Sequence, residues 1–316
     1  MTLHSLPRPL CLFVLLSAVL PASAAITTSA PTYHIYADAE TDFDLPPYNE
    51  YNGGFDQSSN LTQSNAVNYD YSNTYRGEHH FAINIFSAAN QASAHESVNV
   101  TFLTPAQGSP SDYTKMIGTG YATVTINDLI VNGPASPANV TTSLHMHLDG
   151  TLAASTALNT GSPGMSSDTS ISATLVYGSN TIGSGTLSAS SSNGSAPTTS
   201  STGWLSNFTG NQDIVSSPFS VPVNTLFSVT FTLSITSQAI LNGDDAGLAQ
   251  TYADFGNTFS FATDSPVFDL PTGYTANSPS ANLIANQYIL LPEPTSLSLL
   301  AVASIYPLRR PKKSPR

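Results

Sequence analysis

Basic residues are nearly missing from the middle of this 316-residue chain. Of its eight lysines and arginines, Arg8 lies near the start, and Arg309, Arg310, Lys312, Lys313 and Arg316 lie in the last eight positions. Only Arg76 and Lys115 fall within residues 25–291, against 19 of the 20 acidic residues, for a net charge of −17. A surface so poor in cations has almost nothing with which to displace phosphate counterions, which excludes nucleic acid as a partner. Charged residues make up 9% of the chain, against roughly a quarter in an average globular protein. Cysteine is equally scarce. The single one, Cys11, sits in an N-terminal apolar run. A mature chain without it has no disulfide, no thiolate nucleophile and no cysteine metal site. Its stability has to come from backbone pairing and core burial. The hydrophobic fraction of 40% is too high for a wholly disordered chain and too low for a polytopic membrane protein.

Serine and threonine fill the space that charge leaves, at about a quarter of all residues. The clearest pattern they make is Phe227-Ser228-Val229-Thr230-Phe231-Thr232-Leu233-Ser234-Ile235-Thr236. Apolar and hydroxyl residues alternate strictly there, which predicts a strand with Phe227, Val229, Phe231, Leu233 and Ile235 on its buried face. Weaker alternation predicts further strands near residues 80–86, 98–103, 121–131, 140–152, 170–177, 251–261 and 283–291. Asn132-Gly133-Pro134 and Asn242-Gly243-Asp244 are among the turns between them. No stretch repeats at helical spacing. The expected fold is all-β, an antiparallel sandwich of jelly-roll type. The Ser/Gly/Thr-rich residues 188–203 are expected to be a loop within it or a linker.

The N-terminus carries its own signal. Arg8 precedes an apolar run from Leu10 to Leu20, followed by Pro21-Ala22-Ser23-Ala24-Ala25. Charge, apolar run and small residues in that order predict a secretory signal peptide over residues 1–24, with Ala22 and Ala24 framing the cleavage box and Ala25 opening the mature chain. Export through the Sec machinery and cleavage by signal peptidase follow.

Several clusters are candidate sites. Leu144, Met146 and Leu148 alternate with His145, His147 and Asp149, so in a strand both histidines and the aspartate share a face, the donor set of a transition-metal site or simply a solvated strand. His79 and His80 point to opposite faces and cannot chelate together. Asp38, Glu40, Asp42 and Asp44 recur every second position, lining one edge with carboxylates of the kind calcium takes. The EF-hand pattern fails there for want of its glycine and closing glutamate. Half of the 14 tyrosines fall early. Among them Tyr48, Tyr51, Tyr69 and Tyr71 lie among Asn, Asp and Gly, a mixture of flat rings and hydrogen-bonding groups suited to sugar or protein contact. For catalysis there is no G-x-S-x-G elbow, Walker loop or H-E-x-x-H pair. Acidic pairs are too numerous to single out a glycosidase couple, so no enzyme is expected.

The C-terminus runs Leu291-Pro292-Glu293-Pro294, then an apolar stretch over residues 295–308, then Arg309-Arg310-Pro311-Lys312-Lys313. This resembles the PEP-CTERM sorting signal of bacterial exported proteins, with Pro292, Glu293 and Pro294 as its motif and Arg309 and Arg310 opening its basic end. The resemblance implies recognition of residues 292–316 by a membrane-embedded exosortase, removal of the tail, and delivery to the cell surface or extracellular matrix. The apolar stretch has 14 residues, about 21 Å as a helix against a hydrocarbon core of roughly 30 Å, so it is a short anchor. Asp254-Phe255-Gly256-Asn257-Thr258 and Leu270-Pro271-Thr272-Gly273-Tyr274 resemble a stretch recurring in uncharacterised proteins with the same tail; no functional residue comes with that likeness. The expectation is a signal peptide, a sandwich body over residues 25–291 and a sorting tail. The body would be structural or adhesive, with a carbohydrate-binding or calcium-dependent adhesion module as one alternative and a polysaccharide-active hydrolase as another. Extracellular polysaccharide is then a candidate partner.

Overall fold

The structure, a computed structural model, describes residues 31–43, 52–59, 63–73, 77–88, 91–102, 113–158, 164–242 and 247–289. The segments expected to be a signal peptide (residues 1–24) and a sorting tail (residues 292–316) lie outside these residues. Eighteen strands form in the described segments. The first nine are β1 (Thr32–Phe43), β2 (Asn52–Ser59), β3 (Gln63–Asn73), β4 (Gly77–Ala88), β5 (Gln91–Phe102), β6 (Tyr113–Asn132), β7 (Asn139–Thr142), β8 (His145–Leu158) and β9 (Met165–Tyr177). The rest are β10 (Asn180–Ser192), β11 (Thr198–Gly203), β12 (Asn211–Val215), β13 (Phe219–Pro222), β14 (Leu226–Asn242), β15 (Gly247–Phe261), β16 (Thr275–Asn277), β17 (Leu283–Ile284) and β18 (Gln287–Tyr288).

Two antiparallel sheets pack face to face. One runs β11-β10-β9-β14-β6-β1-β2, with β16 added to β6; the other runs β12-β8-β15-β5-β4-β3. The chain is therefore an all-β sandwich, as its alternation predicts. The pattern that is clearest in sequence becomes β14, the middle strand of the larger sheet, and all five predicted inward residues are buried there. Phe231 meets Phe259 and Phe261 of β15 edge-on, at centroid separations of 5.8 and 5.4 Å. Burying each such ring contributes roughly 1.5–3 kcal/mol, so the β14–β15 seam is where the two sheets are held together.

Three expectations change. Residues 188–203, expected as a loop or linker, are the end of β10, a tight turn and β11. Leu187, Ala189 and Ser191 point inward, and Asn193 and Gly194, with positive φ values of 50° and 70°, turn the chain at the start of the short connection 193–197 between the two strands. Residues 140–152 are two strands, because β7 leaves to pair with β13 while Leu144 bridges to Phe268 and β8 joins the smaller sheet. Residues 283–289 make only the short β17–β18 ribbon.

That ribbon ends a strap laid along β6. Asp128, fully buried in β6, accepts hydrogen bonds from the Ser278 hydroxyl, from the Ser280 hydroxyl at 2.7 Å and from the Ser280 amide at 2.9 Å. A buried carboxylate needs such donors to offset its lost hydration. Asp128 thereby fastens the last described segment to the sandwich.

Candidate functional site

The histidine pair lies where the alternation puts it. Leu144, Met146 and Leu148 are fully buried, and His145 and His147 face outward from β8. Each imidazole is held by a different carboxylate. His147 donates through Nδ1 to Asp213 Oδ1 at 2.8 Å, its register partner on β12, and His145 donates through Nε2 to Asp269 Oδ1 at 2.9 Å. No group of three or more His, Cys, Asp or Glu able to hold a metal ion occurs among the described residues, so the two histidines form separate surface pairs. Ser260 of β15 lies on the other side of His147 in register, which completes an Asp-His-Ser row across three strands. The serine is buried and its hydroxyl donates to the Phe261 carbonyl at 3.2 Å, so it is not presented as a nucleophile.

Of the predicted acidic edge, β1 provides the extended backbone through Phe43, and Asp38 is exposed on it. The side chains of Glu40 and Asp42, and all of Asp44, lie outside the described residues, as do Tyr48, Tyr51 and the side chains of Tyr69 and Tyr71. An aromatic and acidic cluster forms instead from residues that sequence reasoning did not single out. Tyr36 of β1 has Tyr121 of β6 as its register partner on one side and Asp56 of β2 on the other. The two rings stack at 5.0 Å and 14°, and His34 meets Tyr121 edge-on at 5.0 Å. His34 Nε2 donates to Asp56 Oδ1. Burial, followed by the charge and hydrogen bond of Asp38 and the charge of Asp56, raises the Tyr36 hydroxyl above its ordinary pKa of 10.0. Burial, then Asp56 and Tyr36, raise Tyr121 likewise. Both phenols stay neutral donors well into alkaline solution.

From this cluster, rows of hydroxyls cross the outer face of the larger sheet. In register with Tyr121 come Ser234, Ser172, Thr186 and Thr202, one on each successive strand out to β11. The row beside it holds Thr123, Thr232, Thr174 and Ser184. Adjacent members bond one another, Thr123 to Thr232 at 3.1 Å and Thr186 to Thr202 at 2.6 Å, and Thr125 bonds its own register partner Thr230 at 2.9 Å one row further on. Cross-strand hydroxyl pairs of this kind contribute at most about 1 kcal/mol each. Their main effect is a broad face that is polar and uncharged along these rows.

At the far lateral edge, between β8 on one sheet and β10–β11 on the other, a cleft of about 320 Å³ opens. Gly150, Thr151 and Leu152 of β8, Leu187 of β10, Thr199 of β11, and Phe208, Thr209 and Gly210 of the following loop line it. The sequence hid this site because its lining comes from four separate segments.

No protein-family model matches the chain, and no curated protein matches it. Among solved structures it is similar to one described as "Structural basis for the promiscuous specificity of the carbohydrate-binding modules from the beta-sandwich super family", at 12% identity and a TM-score of 0.13, over 71% of this chain and 83% of that one. Another, "Structure of infectious bursal disease virus Gx strain", is 9% identical with a TM-score of 0.10, over 90% of this chain and 75% of that one. Likenesses at such scores carry no argument, and the functional reading rests on the residues themselves.

Proposed function

We propose that this is an exported, non-catalytic protein of the cell surface or extracellular matrix, whose sandwich serves a structural or adhesive role. The observation that carries the reading is the outer face of the larger sheet, where hydroxyl rows extend across successive strands. Such a face stays hydrated without attracting polyanions and offers hydrogen bonds to a neutral, hydroxyl-rich matrix. The signal peptide at residues 1–24 and the PEP-CTERM-like tail at residues 292–316 supply the route: Sec export, signal peptidase cleavage, then an exosortase-type enzyme acting near Pro292-Glu293-Pro294. The basic end at Arg309 and Arg310 holds the tail on the cytoplasmic side until that step.

Glu293→Ala is expected to leave the tail attached and the protein retained in the membrane. Mass spectrometry of the surface-released wild type tests the same point, and a C-terminus intact through Arg316 refutes the sorting reading.

The Tyr36–Tyr121 stack favours a second reading, carbohydrate-binding adhesion, since paired rings beside His34, Asp38 and Asp56 present flat apolar surface next to hydrogen-bonding groups. Glycan-array binding, repeated with EDTA, checks it. Loss of binding with EDTA assigns a calcium-dependent module that draws on the Asp38, Glu40, Asp42 and Asp44 run.

A further inference from the structure

We propose that the cleft between β8 and the β10–β11 edge is a binding site for a neutral sugar residue. It stands apart from the Tyr36–Tyr121 cluster, which lies toward the other lateral edge, so either site can fail alone.

The cleft is built by backbone devices that a plain sandwich does not need. Across from β8, Asp254 of β15 pairs with Thr151 and Thr258 pairs with Asp149, so three residues of β15 face the single Gly150. This bulge drives the Phe255 ring against Gly150, where an added Cβ would come within 2.3 Å of the ring and 2.6 Å of the Asp254 carbonyl. Bulges recur beside binding sites because they re-aim side chains locally. Gly150 donates its amide to the Gly210 carbonyl at 2.9 Å, and Gly210 holds a φ of 104°, a conformation that glycine alone adopts readily. That contact turns the chain so that Phe208 lies on Phe255, with centroids 6.0 Å apart and planes 30° apart. The result is a fixed aromatic wall.

The lining then selects the ligand. Phe208, Leu152 and Leu187 give apolar surface, Thr199 and Thr209 give hydroxyls, and no charged side chain is among the lining residues. A ring with one apolar face and a rim of hydroxyls matches that division, since sugars stack on an aromatic plane while hydroxyls pair at the edges. An ionic ligand finds no counter-charge there, and its desolvation would go unrepaid. A purely apolar one leaves the threonine hydroxyls unpaired. The volume is at the low end of small-molecule sites, room for a sugar ring and its ordered water.

The chain carries a reporter for the test. Trp204 is its only tryptophan and belongs to the turn that leads into Phe208, packed so closely over Gly183 that no Cβ fits between them. The intact protein is titrated with glucose, galactose, mannose and N-acetylglucosamine, and with their β-linked tetramers, while Trp204 emission is followed. A saturable shift with at least one of them is expected. Phe208→Ala should weaken it about tenfold and Thr199→Val about fivefold, while Tyr121→Phe leaves it unchanged. Thr199 is exposed on an edge strand, so Thr199→Val decides the matter if Phe208→Ala does not fold. No shift with any of these sugars overturns the proposal. So does binding indifferent to Thr199→Val, or cyclohexanol binding as tightly as the sugars.

Discussion

Asp128→Ala should detach the strap that closes the described chain. The carboxylate is fully buried and accepts three hydrogen bonds, from the Ser278 hydroxyl and from the Ser280 amide and hydroxyl. Hydrogen bonds to a charged group contribute roughly 1.5–3 kcal/mol each, and members of one network do not add. Alanine also leaves the Ser278 hydroxyl, itself 0% exposed, with no carboxylate to receive it. The expected loss is about 2–4 kcal/mol, the scale for lost hydrogen bonds to a carboxylate with neutral donors left unpaired. Asp128→Asn keeps the shape and one acceptor but can turn an NH2 group toward the Ser280 amide, so about 2 kcal/mol is expected. Urea unfolding followed by far-ultraviolet circular dichroism measures the global change. Hydrogen exchange at the Ser280 and Leu283 amides measures opening of the strap alone. A global loss below 1 kcal/mol for Asp128→Ala, together with unchanged exchange at both amides, refutes the reasoning.

Phe231→Ala empties the seam between β14 and β15 and should cost about 3–5 kcal/mol, read as a lower urea midpoint with an unchanged slope. Tyr36 should ionise above the ordinary tyrosine value, seen as the high-pH phenolate absorbance lost in Tyr36→Phe. The fold therefore favours the neutral phenol, and that contribution is whole below pH 10.0 and lost as pH rises through the folded value. Asp38→Asn should lower the Tyr36 value while burial, the larger cause, keeps part of the shift. The double variant Asp56→Asn, Asp213→Asn strips an acidic side chain from edge strands β2 and β12. It should self-associate at concentrations where the wild type is monodisperse by light scattering, and equal monodispersity contradicts that role.

Much of the fold was legible because alternation was strict where burial is deepest. The apolar half of β14 and the Leu144, Met146, Leu148 set of β8 point inward as read. Residues 188–203 misled because their inward positions are Leu187, Ala189 and Ser191, small or polar enough that alternation scarcely registers. The Asn193-Gly194 dipeptide was the signal that marked the hairpin. The sites were less legible for a topological reason. Asp213 and Asp269 lie 66 and 124 positions beyond the histidines they hold, and Tyr121 lies 85 beyond Tyr36; no local pattern announces pairs set by strand order. Asp128 looked like one acid among 19 in the body, and only its burial distinguishes it.

The scarcity of cations takes on structural meaning in the finished sheets. Sandwich edges commonly carry lysine to discourage a second chain from adding a strand, and this body has only Lys115, which lies on β6, inside the larger sheet. Aspartate takes that place. Asp56 on β2 and Asp213 on β12 are 67% and 58% exposed, and each is bonded to an inward-neighbouring histidine, His34 or His147. The pairing fixes the carboxylates at the rim while the net acidity of the body repels another copy. Repulsion of this kind is screened within about 8 Å at physiological ionic strength, so it acts at contact range, where edge-to-edge pairing begins. In the role proposed above, the protein is crowded by copies of itself and by neutral polymer. On that reading an acidic rim beside rows of uncharged hydroxyls refuses the first while leaving the second free to bind.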